Sequence, residues 1–316
     1  MNRLGIKGIL ALVMAVMLLI GSAQAMSLVD AVGHLMQPEQ SAAPVNIDEQ
    51  NAEIPDPDGW WNILLMGCDS YSKNSYQRSD SMIIVSIHKE SYQVKMTSLM
   101  RDTWVTVSGY KSGMKLTEAC VYGGPELTMR AINENFGANI SEYALVSLEG
   151  MADIIDLIGG VELDVTEAER KALNKGLFDL SSRSGMEPLA KSGKGVHLNG
   201  NQATAFARIR NIDSDFVRTE RQRTVLMTMA KKIIRESNGM ELLGLVSVLV
   251  DYVDTNLSFT DIMTIAEVGL KSDLSAVEEL RLPADGTFDS GTFNGIWCIK
   301  PNFKKNAAIL QDFIYG

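Results

Sequence analysis

The chain has 316 residues, 46% of them apolar and 22% charged, and its formal net charge is -10. An acidic balance does not suit a nucleic-acid backbone, and Cys68, Cys120 and Cys298 are too few and too scattered for a disulfide framework or a zinc site. His34, His88 and His197 are spread along the chain and form neither a metal nor a triad constellation.

Arg3 and Lys7 precede an uncharged run from Gly8 to Val29. Roughly 20 apolar residues span a bilayer, so residues 1–29 read as a membrane anchor, with Ala23-Gln24-Ala25 keeping open a signal segment that is cleaved. No lysine or arginine follows until Lys73, which keeps the basic side in the cytoplasm and places the rest of a single-pass protein outside the membrane, secreted if the leader is cleaved. Residues 30–59 carry four of the eight prolines among acidic and small residues and read as an extended stalk. Residues 60–237 then read as the main folded domain, and 238–316 as further helices and a strand packed on it.

Within that region Trp61 to Met66 reads as a buried strand, Ser81 to Ile87 and Tyr92 to Leu99 as a hairpin about Lys89-Glu90-Ser91, and Pro125 to Phe136 as a helix stopped by Gly137. Tyr143 to Ser147 reads as a strand, Glu149 to Ile158 as a helix ended by Gly159-Gly160, and Val161 to Val165 as a strand. The polar stretch Thr166 to Gly195 suits a short helix and a mobile loop. Helices are predicted at Asn199 to Ile209, Arg218 to Ser237, Met240 to Val253 and Thr260 to Leu270, with a last strand at Val277 to Leu282. Residues 284–305 give no assignable pattern. The alternation defines an α/β class with a mixed central sheet and helices packed on it.

Five of the thirteen arginines, Arg208, Arg210, Arg218, Arg221 and Arg223, fall in the run AFARIRNIDSDFVRTERQR, a local inversion of sign in an acidic chain. Guanidinium groups grip phosphate through paired N–H donors, so the cluster suits a phosphorylated ligand; a solvated arginine-rich helix is the alternative. At about 100° per residue Arg218 shares a stripe with Val225, Met229 and Ile233. Arg223 points away from that stripe, toward solvent. An arginine on a core-facing stripe needs a buried partner, and Asp215, Glu220 or a bound phosphate could each serve.

Several motifs occur in unbroken order: Asn62-Ile-Leu-Leu-Met-Gly67-Cys-Asp69-Ser, Arg78-Ser-Asp80-Ser-Met, Ser98-Leu-Met-Arg101-Asp102-Thr, Lys115 with Tyr122-Gly-Gly-Pro-Glu126, Leu157-Ile-Gly-Gly160-Val, His197-Leu-Asn-Gly200-Asn-Gln-Ala203, Ala207-Arg-Ile-Arg210 and Asp215-Phe-Val-Arg218-Thr-Glu-Arg221-Gln. Over about Trp60 to Lys232 they resemble the LytR-CpsA-Psr family. The resemblance implies a phosphotransferase that moves an anionic glycopolymer, such as teichoic acid or capsular polysaccharide, from undecaprenyl pyrophosphate to peptidoglycan. It implies Asp69 and Asp80 as ligands of Mg²⁺, or of Mn²⁺ in its place, and Arg78, Arg101, Arg208, Arg210, Arg218 and Arg221 as the pyrophosphate clamp. Lys115 is a further candidate cation.

Such a set suits phosphoryl transfer, which asks the protein for positioning and charge neutralisation more than for covalent chemistry. Asp215 is a candidate to take the proton of an acceptor hydroxyl, or else to orient Arg218. Tyr71 and Thr117-Glu118-Ala119 stand where the family often has other residues, which puts two minor contacts in question. A Cys68 to Cys120 bridge beside the first aspartate is one alternative to three buried thiols. Leu127 to Phe136, Met151 to Ile158 and Leu226 to Ile234 could line a groove for a polyprenyl chain or pack a plain core. A lipid-pyrophosphate pyrophosphatase and a non-catalytic regulator that binds isoprenoid phosphates are the competing functions.

Overall fold

The computed structural model describes residues 59–72, 75–179, 186–236, 252–293 and 295–316. The anchor and stalk expected over 1–59, apart from Gly59, and nearly all of the helix expected at Met240 to Val253 lie outside the described residues. Among the described residues no helix is long and apolar enough to cross a membrane. The strands in chain order are β1 Trp60–Cys68, β2 Tyr71–Ser72, β3 Ser75–Tyr76, β4 Ser79–His88, β5 Val94–Leu99, β6 Trp104–Val105, β7 Met114–Lys115, β8 Ile140–Ser147, β9 Val161–Val165, β10 Gly193–Leu198, β11 Val253–Thr255, β12 Glu278–Leu282, β13 Phe288–Phe293 and β14 Ile296–Pro301. The helices are α1 Leu116–Phe136, α2 Leu148–Leu157, α3 Glu167–Asp179, α4 Gly200–Ala207, α5 Asp215–Glu236, α6 Phe259–Lys271 and α7 Phe303–Tyr315. They divide into two compact units, one of residues 33–147 with 254–316 and one built on 148–253.

The first unit is organised on a six-stranded sheet in the order β11-β8-β1-β4-β5-β12. β1 runs antiparallel to β4 and parallel to β8, and β12 runs parallel to β5, so the sheet is mixed. The strands that read as apolar runs are its buried centre, where Leu64, Ile84 and Leu145 pack with Met129, Ile132 and Phe136 of α1 and with Leu310 and Ile314 of α7. Lys95 is buried in β5 because its ammonium donates to the carbonyl of Phe313 at 2.6 Å, where the last turn of α7 leaves acceptors unpaired.

α1 begins nine residues before the helix read from the sequence. It is a short helix and a long one joined at Gly123 and Gly124, whose dihedrals are not helical. Gly124 has φ +68, and a Cβ there would stand 2.8 Å from the ring of Tyr76. Pro125 then opens the second part, where a proline costs no hydrogen bond. The first part rests on the Glu118 carboxylate, which accepts from the Lys115 N–H at 3.0 Å; Glu118 is one of the residues at which the chain departs from the family pattern. The tail that gave no pattern forms the β13–β14 hairpin and α7.

The second unit carries the antiparallel pair β9–β10 and helices α2 to α5. α2 and α4 approach so closely at Gly200 that a Cβ would lie 1.9 Å from the carbonyl oxygen of Ala152. Asp156 of α2 accepts from the Gly200 N–H at 2.6 Å, and Asn199 with Gln202 forms a capping box, so the start of α4 is fixed by its own cap and by α2. The polar stretch after Thr166 holds a longer helix than expected, α3, and from Gly193 a strand in place of the end of a loop.

Candidate functional site

On the first unit the charged residues gather at the end of β1 and β4. Cys68 pairs with Ser79 and Gly67 with Ser81, which leaves Asp80 as the extra residue of a β-bulge. A bulge re-aims the side chain it carries. Asp69, just past β1, holds the same end through its N–H, which donates to the Arg78 carbonyl at 3.4 Å. Both aspartates are carboxylates with no nitrogen or sulfur donor in the pair, a donor set that fits a hard cation such as Mg²⁺. Among the described residues no group of three or more His, Cys, Asp and Glu could hold a metal by itself, so a cation here needs phosphate or water to complete its shell.

Arg101 binds Asp80 through Nη1 at 2.5 Å and Asp102 through Nε at 3.3 Å. Asp102 also accepts from Lys115 Nζ at 2.8 Å. The backbone of this segment is fastened on three sides: Met100 N–H donates to Leu282, Ile299 N–H donates to Asp102, and Thr117 N–H donates to Arg101. Two cations and two carboxylates therefore alternate along Asp80, Arg101, Asp102 and Lys115 on a rigid support. The Arg78 side chain is 63% exposed and lies 4.0 Å from Glu118.

Cys68 and Cys120 are free, buried thiols, as is Cys298, so the bridge considered from the sequence is not formed. Burial, then the proximity of Cys120 and Asp69, pushes the Cys68 thiol up to about 12. Burial, then Glu126, does the same to Cys120. Sequence reasoning missed Asp254, which accepts from the Tyr76 hydroxyl at 2.9 Å. Burial and then Asp254 push the Tyr71 phenol up to about 12 and raise those of Tyr76 and Tyr143. No local pattern could have found this group, because Asp254 lies 178 residues beyond Tyr76.

On the second unit the arginine run divides. Arg208 and Arg210, at the end of α4 and beyond it, are exposed. Arg218 is 1% exposed and donates through Nη2 to Asp215 at 2.7 Å, so Asp215 orients Arg218 one turn away. Arg218 shares its buried stripe with Val225 and Met229, as the periodicity predicts, while Ile233 further along is only half-buried. Arg221 is buried and its donors are directed at protein: Nε to Glu169 at 2.9 Å, Nη2 to Asp213, and Nη1 to Asp213 and to the Ile209 carbonyl. It closes the loop that carries Arg210, and this is a structural place for a residue expected in the clamp.

Arg223 corrects the sequence reading outright. It is 6% exposed and not turned to solvent. The stripe argument assumes that one face of the helix is covered, whereas α5 packs against both α4 and β9.

Residues 27–312 of this mixed α/β chain match the LytR_cpsA_psr family model. The chain belongs to that family. Polyisoprenyl-teichoic acid–peptidoglycan teichoic acid transferase TagU of Bacillus mycoides is 30% identical over 238 residues, 75% of this chain and 72% of that one. The corresponding transferase TagV of Bacillus subtilis is 29% identical over 66% of this chain and 52% of its own length. The crystal structure of B. subtilis TagV superposes with a TM-score of 0.65 at 25% identity, covering 81% of this chain and 98% of that one. A TagT structure that holds octaprenyl pyrophosphate lipid shares the fold, with a TM-score of 0.61 at 23% identity over 83% of this chain and 93% of its own.

Proposed function

We propose that the protein is a glycopolymer transferase that takes a polymer from a polyprenyl pyrophosphate carrier and joins it to peptidoglycan through a phosphodiester. The observation that carries this reading is the Asp80–Arg101–Asp102–Lys115 chain at the ends of the central strands, in a chain whose relatives are named as teichoic acid transferases. In the reaction an acceptor hydroxyl attacks the phosphorus that bears the sugar. Its new P–O bond replaces the bond to the second phosphate, polyprenyl phosphate departs, and the hydroxyl proton passes to water.

Arg101 and Lys115 supply donors for the phosphate oxygens, and Asp102, held between them, fixes their directions. Arg208 and Arg210 are exposed guanidinium groups for the same class of ligand, while Arg218, oriented by Asp215, and Arg221, held by Glu169 and Asp213, support them from within the second unit. Asp69 and Asp80 would hold Mg²⁺, which when bound would offset charge on the phosphate oxygens. Residues 8–29 would anchor the chain with the folded part outside the membrane.

The test is a transfer assay with the full chain in detergent, a synthetic polyprenyl-pyrophosphate-linked teichoic acid oligomer and peptidoglycan strands, with and without EDTA. Polymer linked to peptidoglycan together with polyprenyl phosphate is the expected result, lost on EDTA treatment and restored by Mg²⁺. Release of polyprenyl phosphate at an equal rate without peptidoglycan would replace transfer with hydrolysis.

A further inference from the structure

We propose that Trp297 is an aromatic platform for a sugar ring beside the Arg101–Lys115 chain. This inference rests on the reading above. Trp297 is 47% exposed, whereas Trp60, Trp61 and Trp104 are all partly covered. Indole rings are enriched at recognition surfaces, where an apolar face meets a polar rim.

Its surroundings say what that ligand is. Lys115 Nζ lies 6.0 Å from the Trp297 ring centroid and 2.8 Å from Asp102 Oδ1, so the indole adjoins the charged chain that runs through Arg101 to Asp80. The strand that carries it does not drift, because the next two residues, Cys298 and Ile299, are buried and the Ile299 N–H donates to the Asp102 carbonyl at 2.9 Å. Thr292, opposite Trp297 in the hairpin register, is exposed and adds a hydroxyl beside the ring.

A pyranose has an apolar face of C–H bonds and an edge of hydroxyls. An exposed indole with Thr292 opposite it and Lys115, held by Asp102, at its side matches both, and the adjoining cations match a phosphate on the same sugar. The sugar comes from the donor, next to its pyrophosphate, or from the peptidoglycan acceptor.

The experiment titrates the full chain and its Trp297→Ala and Trp297→Phe variants with three probes: farnesyl diphosphate, the same diphosphate bearing N-acetylglucosamine, and a peptidoglycan disaccharide. Trp297→Ala should weaken a sugar-bearing probe about fivefold to tenfold, the range of an aromatic stacking contact, and leave farnesyl diphosphate unchanged. Trp297→Phe should keep most of the affinity, and all three proteins should melt at the same temperature. Weakening of the diphosphate sugar places the donor on the platform, and weakening of the disaccharide places the acceptor there. Equal losses for all three probes, or no loss for either sugar, would overturn the proposal. Failure of farnesyl diphosphate to bind the unaltered protein would instead count against the pyrophosphate reading, with the disaccharide arm still reporting on Trp297.

Discussion

Arg221→Met should unfold the second unit at markedly lower denaturant while leaving the sheet of the first unit in place. The guanidinium sits between Glu169 and Asp213, with its own side chain 6% exposed and theirs 15% and 22%. Methionine fills the space of the arginine stem but leaves two largely covered carboxylates facing each other without a counter-charge. Removing one partner of a buried ion pair costs about 3–5 kcal/mol, and the partial exposure of Asp213 argues for the lower end, about 3 kcal/mol. With a urea dependence of about 2 kcal/mol per molar, the midpoint should fall by about 1.5 M. The assay is urea unfolding of the unaltered protein, Arg221→Met and Arg210→Ala, followed by circular dichroism. Arg210, which is exposed, should leave the midpoint unchanged. A stable Arg221→Met protein that has lost affinity for a pyrophosphate ligand would refute the structural assignment and return Arg221 to the clamp.

The same pair gives a pH signature. Burial pushes the Glu169 carboxyl up, but donors from Thr166 and Arg221 outweigh it and leave the group below its usual 4.5. Its stabilising contribution is therefore complete above 4.5 and lost as pH falls through the lower folded value, so the melting-temperature gap between the unaltered protein and Arg221→Met should narrow below pH 4.5; a constant gap would contradict the coupling. Arg101→Ala should lower turnover in the transfer assay by about 100-fold to 1,000-fold, the loss seen when a donor to a developing oxyanion is removed, and normal turnover in a folded variant would remove Arg101 from the chemistry. Gly200→Ala should destabilise the second unit by about 3 kcal/mol, because the Ala152 carbonyl in the way is backbone and cannot swing aside; an unchanged melting temperature would show that α2 and α4 separate readily. Burial raises the Cys68 and Cys120 thiols and keeps them protonated and covered at pH 8, so iodoacetamide should label them only after denaturation, as mass spectrometry of the peptides would show.

What could be read along the chain is what local physics decides. Apolar runs gave the central strands β1, β4 and β8, because a strand covered on both faces has to be largely apolar, and strict alternation gave β9, whose Glu162 and Asp164 face out. Gly137 and Gly159-Gly160 ended their helices because they adopt positive φ, which other residues resist. The sign of the charge around Arg208 to Arg223 is likewise a property of composition alone. The β13–β14 hairpin escaped because β13 carries aspartate, serine and glycine in place of an apolar run, which left the short apolar run of β14 without a legible partner.

Burial and pairing were decided only by the fold. Arg223 is covered because α5 lies between two neighbours, and Arg221 is tied to Glu169, 52 residues earlier. Asp80 faces Arg101 because a bulge, visible only in the register of two paired strands, inserts it there. Trp297 comes beside Lys115 because the hairpin strand bonds to the backbone of Asp102. A sequence determines which groups a chain can offer, since charge and periodicity are local. Which groups meet depends on contacts between segments far apart in the chain, and those exist only once the sheet has formed.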